Sequence, residues 1–369
     1  MSINRKVIII SFLILILAIF TNALLLKMWG KIALVPEPAD LRNSNSYQHT
    51  QNIYTSPISI NYLRSQKLDS PLFTVESTLN DGSNYSRYII SYLSQGYKVF
   101  GLLTVPKSEV PIGGFPALVF NHGYIPPSQY VTTEKYLAYV DSLARSGFVV
   151  LKIDMRGHGN SQGEATGSYF SSAYTIDALS ALSSLQKFDK VNPNRIGMWG
   201  HSMAGNLVLR AMLVSDQVKA GVIWAGAVYS YQDFAKYRLN DGSYVRRPDL
   251  SPTPSPSQTL DEQPKPENRE LSPEVQRLRS NQEVDLKNDF WSSISLTSNL
   301  QYLNAPLQIH HSKNDSVVNI GYSRDLVSEL KVQGKKYDFH EYEGGGHNIE
   351  SPYFEEAMKN TILFFKENL

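Results

Sequence analysis

The sequence predicts an α/β protein built on a mostly parallel sheet with helices on both faces, and three observations carry that prediction. From residue 117 onward, apolar runs of strand length alternate with segments of helical period, as parallel strands joined by helical crossovers require. One junction, Ile196-Gly197-Met198-Trp199-Gly200-His201-Ser202-Met203-Ala204-Gly205, passes from an apolar run into Ala204, Leu207, Val208, Ala211 and Met212 at helical spacing, with a single serine at the turn. Finally, 369 residues that are 42% hydrophobic and 19% charged supply the core of one large domain with additions.

Taken in order, residues 1–31 read as a membrane-targeting segment. Val7–Leu26 is apolar apart from Ser11, Thr21 and Asn22, and Arg5 and Lys6 precede it. Twenty residues rising about 1.5 Å each reach roughly 30 Å, the depth of a bilayer core. The run is longer than the apolar centre of a signal peptide. That favours an uncleaved signal anchor with the folded domain outside the cytoplasm, over a secreted chain cleaved near Thr21-Asn22-Ala23. Residues 32–56 are a polar linker, and residues 57–369 form the main domain.

That domain opens with antiparallel strands: Phe73–Ser77, Tyr88–Ser94 and Tyr97–Pro106 alternate, with Asn80-Asp81-Gly82 and Gln95-Gly96 as turns. Strand Ala117–Asn121 follows. A helix is expected over Thr133–Ser146, with Leu137, Val140, Leu143 and Ala144 inward and Gly147 as its C-cap. Phe148–Asp154 is the next strand, and Ile176, Leu179, Leu182 and Leu185 mark a helix. Ala220–Ala225 is a buried strand. The alternation then breaks over an insertion at about 229–300. The insertion's centre, 248–273, is Pro- and Ser-rich and reads as disordered, and its flanks carry enough aromatic residues to pack as helices. An insertion at this point of a parallel sheet is expected to act as a lid. Strand Leu307–His311, helix Ser323–Lys331, strand Tyr337–Tyr342 and a helix starting at Pro352 complete the chain.

Charge and composition exclude several function classes. Lys and Arg number 35 against 34 Asp and Glu, so the basic face of a nucleic-acid-binding protein is not predicted. With no cysteine there is no disulfide, thiolate nucleophile or Cys-based zinc site. No P-loop, EF-hand or His-Glu-x-x-His string occurs, so no cofactor or metal is implied. The loop Asp154–Gly163 has the glycines of an anion site but not the spacing, and reads as a brace at the sheet top.

The serine turn is where chemistry is expected. A strand-to-helix hinge this sharp strains its central residue and demands small neighbours, while the helix that follows aims its N–H groups at the turn. This is the strand–turn–helix layout of a nucleophile elbow, with Ala204 in the place of the usual second glycine. A serine hydroxyl needs a base and a carboxylate that orients the base, following it along the chain as acid and then histidine. His310, His311 and His340 lie in strands and read as structural. His347, after Glu343-Gly344-Gly345-Gly346, can swing across the sheet top and is the candidate base. Asp315, just past the preceding strand, is the candidate acid; Glu343 lies on the histidine's own loop and is expected to be solvated. For the oxyanion, the donors are the N–H of Met203 and that of Tyr124 in Asn121-His122-Gly123-Tyr124, where Gly123 permits the backbone turn.

On these strings the chain resembles the α/β-hydrolase superfamily. Within it, the chain resembles the catalytic domain of the prolyl oligopeptidase family, which holds dipeptidyl and acylaminoacyl peptidases. The resemblance runs from about Val99 to the C-terminus. It implies a triad of Ser202, Asp315 and His347 that cleaves short peptides through an acyl-enzyme. The same triad can serve carboxylesters such as acylated sugars or lipids, and a non-catalytic binding protein on a hydrolase scaffold is the alternative of another class.

Overall fold

The structure, a computed structural model, describes residues 56–239, 273–279 and 282–369, and the described residues belong to one compact unit. Their strands are β1 (Thr74–Leu79), β2 (Tyr85–Ser94), β3 (Tyr97–Pro106), β4 (Phe115–Asn121), β5 (Val149–Ile153), β6 (Val191–His201), β7 (Gly221–Trp224), β8 (Leu307–Ser312) and β9 (Tyr337–Tyr342). They form one sheet in the order β1-β2-β3-β5-β4-β6-β7-β8-β9. The first three strands pair antiparallel, as does β3 with β5. Every later pair, from β5–β4 to β8–β9, is parallel. The β2–β3 turn is Gln95-Gly96, both at positive φ, the two-residue geometry whose twist matches the flanking strands.

The middle strands are apolar on both sides because both sides are covered. In β4, Ala117 and Val119 join one core while Leu118 and Phe120 join the other. In β6, Ile196 and Met198 face the first and Trp199 the second. Such runs are the mark of parallel strands sandwiched between helical layers. The first core is roofed by helices Ala173–Leu185, Met203–Val214 and Gly321–Val332, and the second by Leu137–Arg145 and Phe354–Asn368.

Local details depart from expectation where tertiary contacts intervene. The helix expected over Thr133–Ser146 is shorter, Leu137–Arg145, because Tyr136 before it adopts φ +60. Its Leu137, expected inward, is 42% exposed, while Val140, Leu143 and Ala144 are buried. Helix Ala173–Leu185 is buried at every residue. The last helix begins at Phe354, with Tyr353 rather than Ser351 at its cap position and no side-chain cap bond.

The loop Asp154–Gly163 is a brace. Arg156 Nη2 lies 2.6 Å from Asp177 Oδ1, and Nε 3.0 Å from Oδ2, with both side chains buried, tying the end of β5 to helix Ala173–Leu185. The described flanks of the insertion complete the first core: Tyr231, Phe290, Trp291 and Ile294 are buried in it. The expected targeting segment, the expected linker up to residue 55 and residues 248–272 of the insertion's centre lie outside the described residues. Among the described residues no helix is long and apolar enough to cross a membrane.

Candidate active site

Ser202 is the junction of β6 and helix Met203–Val214, at φ +55 and ψ −121. A serine held there stores on the order of 1–3 kcal/mol of backbone strain, which surrounding contacts must offset. Its N–H donates to Trp224 O at 2.8 Å, and its carbonyl accepts the Gly205 N–H at 2.8 Å. The small neighbours have individual reasons. A Cβ on Gly200 would lie 2.6 Å from Ala204 O and 2.7 Å from Val208 Cγ2. One on Gly205 would lie 2.6 Å from Gly226 Cα, so the backbone crossing falls at 205 and Ala204 is accommodated.

Asp315 follows β8 and is locked on both carboxylate oxygens. Oδ1 accepts the N–H groups of Val317 and Val318 at 2.8 and 2.9 Å. Oδ2 lies 2.8 Å from His347 Nδ1 and 3.2 Å from His311 Nε2. Burial works against its charge, but the bonds from His311 and His347 prevail and hold the carboxyl well below the usual carboxylate range. His347 therefore carries its proton on Nδ1, which leaves the Nε2 lone pair free to act as a base.

The His347 loop is shaped by Gly345 and Gly346 at φ +98 and +61. A Cβ on Gly345 would lie 2.9 Å from the Glu350 backbone N and O. Asn314 Oδ1 accepts the Gly346 N–H at 2.9 Å, and Ser312 Oγ donates to Gly344 O at 2.8 Å. The His347 ring lies 4.6 Å from that of His201, next in sequence to Ser202. The sequence-predicted acid and histidine are thus bonded to each other beyond the carboxyl ends of β8 and β9, and the serine follows β6, next to the His201 ring that packs against His347. No hydrogen bond joins Ser202 to His347 in this structure; contacts of this kind commonly tighten only around substrate.

Of the expected oxyanion donors, Met203 is the first residue of its helix, where an N–H has no intrahelical partner. Tyr124 lies on the loop leaving β4 and is 37% exposed. The Gly123 N–H is occupied, donating to Tyr136 Oη at 3.0 Å. Beneath this loop the Asp154 carboxylate accepts from Tyr130 Oη at 2.7 Å and Thr132 Oγ1 at 2.6 Å. Burial pushes Asp154 up to about 6 against those bonds, and burial brings Lys152 down to about 8. Among the described residues no group of three or more His, Asp or Glu could hold a metal ion.

Three contributors were given no part in the site from the sequence, His311 having been read as structural. His311 is buried, as a strand histidine should be, yet its Nε2, which donates to Val318 O at 3.0 Å, also lies 3.2 Å from Asp315 Oδ2, while Ser323 Oγ donates to its Nδ1 at 2.7 Å. Its signal is the spacing of four residues to Asp315. Tyr136 and His201 bond to each other at 2.7 Å across 65 residues, and no local pattern announces that pair. Glu343 is exposed and pairs with Lys313, as expected of a solvated residue.

The family model Hydrolase_4, described as serine aminopeptidase, S33, matches residues 116–351. The chain belongs to this family of α/β-hydrolases. Among curated proteins, the uncharacterized peptidase YtmA of Bacillus subtilis (strain 168) is 30% identical over 143 residues, covering 38% of this chain and 51% of the relative. The chain spans about half the length of the curated relatives it matches. Among solved structures, the acetyl xylan esterase from Paenibacillus sp. R4 is similar at 18% identity and TM-score 0.59, covering 90% of this chain and 97% of that one. The Pyrococcus horikoshii acylaminoacyl peptidase is similar at 19% identity and TM-score 0.58, covering 78% and 42%. At these identities the likeness is one of fold. The family is one of serine hydrolases, and its structural neighbours include both peptidases and esterases.

Proposed function

We propose that the protein hydrolyses short peptides through an acyl-enzyme formed on Ser202. His347 Nε2 takes the proton of the Ser202 hydroxyl as Oγ attacks the acyl carbonyl, then returns it to the leaving amine. Asp315 keeps Nδ1–H in place and stabilises the imidazolium that forms. The N–H groups of Met203 and Tyr124 receive the oxyanion, and loss of one such donor costs about 3 kcal/mol of transition-state stabilisation. Water activated by His347 then releases the acyl group. The observation that carries this reading is the His347–Asp315 bond at 2.8 Å, with the His347 ring 4.6 Å from that of His201, the residue before a serine at φ +55. A peptide substrate is supported by the serine aminopeptidase family and the relation to YtmA.

A second reading, hydrolysis of carboxylesters on acylated sugars or lipids, is favoured by the correspondence with 97% of an acetyl xylan esterase chain. A fluorophosphonate probe should label wild type at Ser202 and leave Ser202→Ala unlabelled; folded wild type that stays unlabelled sinks both readings in favour of a binding protein. Aminoacyl-anilides and short-chain p-nitrophenyl esters assayed in parallel separate the two, and turnover of esters alone removes the peptidase reading. We further propose that residues 7–26 anchor the domain in a membrane with the site outside the cytoplasm. Full-length protein should then sediment with membranes and resist carbonate extraction, whereas recovery in the soluble fraction refutes the anchor.

A further inference from the structure

Tyr136 falls in no motif, yet it bonds to the Gly123 loop and to the strand end at His201, and through His201 it is tied to the His347 loop. Its φ of +60 is unusual for a bulky residue and persists only where surroundings impose it. Its hydroxyl receives the Gly123 N–H at 3.0 Å and faces His201 Nδ1 at 2.7 Å. An amide N–H can only donate, which leaves the phenol's single proton free to go to His201 Nδ1. On the far side of the same ring, His201 Nε2 lies 2.9 Å from the carbonyl oxygen of His347, which can only accept. The His347 end therefore requires the proton on Nε2, which in the neutral ring leaves the lone pair on Nδ1 to accept the Tyr136 hydroxyl. Burial, reinforced by the neighbouring His347, lowers His201 to about 3, so the ring is neutral at neutral pH.

The arrangement explains a glycine that local conformation does not. Gly123 is not at positive φ. A Cβ there would instead lie 2.8 Å from Tyr136 Oη and 3.1 Å from His201 Nδ1. The residue is small because a hydroxyl and an imidazole close over it. A second tie runs from the helix that follows Tyr136 to the His347 loop, Tyr139 Oη donating to Asn348 O at 2.9 Å.

We infer that Tyr136 and His201 are positioning residues, joining the Gly123-Tyr124 loop, the Ser202 turn and the His347 loop through one hydrogen-bond chain, Gly123 N–H to Tyr136, Tyr136 to His201, and His201 to the His347 carbonyl. The chain touches neither substrate nor reacting atoms. It sets where the Tyr124 N–H and the His347 ring stand relative to the Ser202 hydroxyl, and this role rests on the reading of those groups given above.

Tyr136→Phe keeps the ring among Phe120, Trp199 and Tyr139 and removes only the hydroxyl. Since displacements near 1 Å cost about 100-fold, fluorophosphonate labelling and kcat should fall roughly 10- to 100-fold with KM within about 2-fold. His201→Gln can still accept from Tyr136 and donate to His347, and should stay within about 5-fold of wild type; His201→Leu should fall as far as Tyr136→Phe. The double variant Tyr136→Phe/His201→Leu should be no worse than either single, as members of one chain behave. Thermal melts check that each variant folds. Unchanged kcat in Tyr136→Phe, or equal activity in His201→Gln and His201→Leu, overturns the inference. A further arm needs no activity: ¹⁵N NMR of the wild-type histidines should show His201 as the neutral Nε2–H tautomer, and Nδ1–H or imidazolium breaks the chain. Wild type that shows this tautomer but resists the probe refutes the serine-hydrolase reading and leaves the chain standing.

Discussion

Gly200→Ala adds one methyl group at the tightest part of the elbow. Its Cβ would stand 2.6 Å from Ala204 O and 2.9 Å from Ala204 C, with Val208 Cγ2 at 2.7 Å. Ordinary carbon–carbon contacts begin near 3.5 Å, so something must retreat by several tenths of an ångström. Val208 can rotate, but Ala204 presents backbone, and that backbone is the first turn of the helix beginning at Met203. Relief therefore moves the Met203 N–H and the Ser202 hydroxyl together. Overpacking of this kind costs about 1–3 kcal/mol of stability, and the displacement should slow probe labelling by about 10- to 100-fold. The assay pairs urea unfolding with the second-order labelling rate of Ser202. Gly334→Ala is the control: its φ is +62 but nothing lies within 4 Å of the added carbon, so it should lose about 1 kcal/mol and label normally. If Gly200→Ala unfolds and labels as wild type does, steric closure at the elbow is not what positions the serine.

Asp315→Asn should leave His347 poorly oriented and lower kcat by about 10³–10⁴-fold while the fold survives; steady-state kinetics with a melting curve decide it. Asp177→Asn strands the buried Arg156 guanidinium and should destabilise by about 3–5 kcal/mol, read from urea midpoints, whereas a loss under 1 kcal/mol would show the pair is not the brace described. Asp154 makes stability fall as pH rises: folded, it keeps its proton to about 6, while the unfolded chain releases it near 4, so the native state binds more protons between those values. That window holds at most about 3 kcal/mol, and the stability difference between wild type and Asp154→Asn should decline from pH 4 to 6. A difference that is flat or rising over this range contradicts the assignment.

Much of the sheet was legible because period and composition report what a residue is buried against. Runs such as Ala117–Asn121 and Ile196–Trp199 read as buried strands, and Ser202 between small residues read as a hinge. Asp315 and His347 followed from their places after successive strands. The helix boundary at Leu137 and the exposure of that leucine were not legible, because they depend on Tyr136 reaching back to Gly123 and His201. Likewise His311 read as a core histidine and is one, yet its Nε2 also lies 3.2 Å from Asp315 Oδ2, and burial alone does not reveal direction.

The amino-acid order by itself determined the alternation of strands and helices, the strained turn at Ser202, and the succession of hydroxyl, carboxylate and imidazole along the chain, since these are local consequences of side-chain size, polarity and period. Tertiary structure alone decided which glycine faces backbone at the elbow, which nitrogen of His201 and of His347 holds its proton, and that Tyr136, through His201, joins loops from three different strands. The reason is physical: a tautomer or a close approach is set by atoms that meet across tens of residues, and their distance in space is not encoded in any short stretch of sequence.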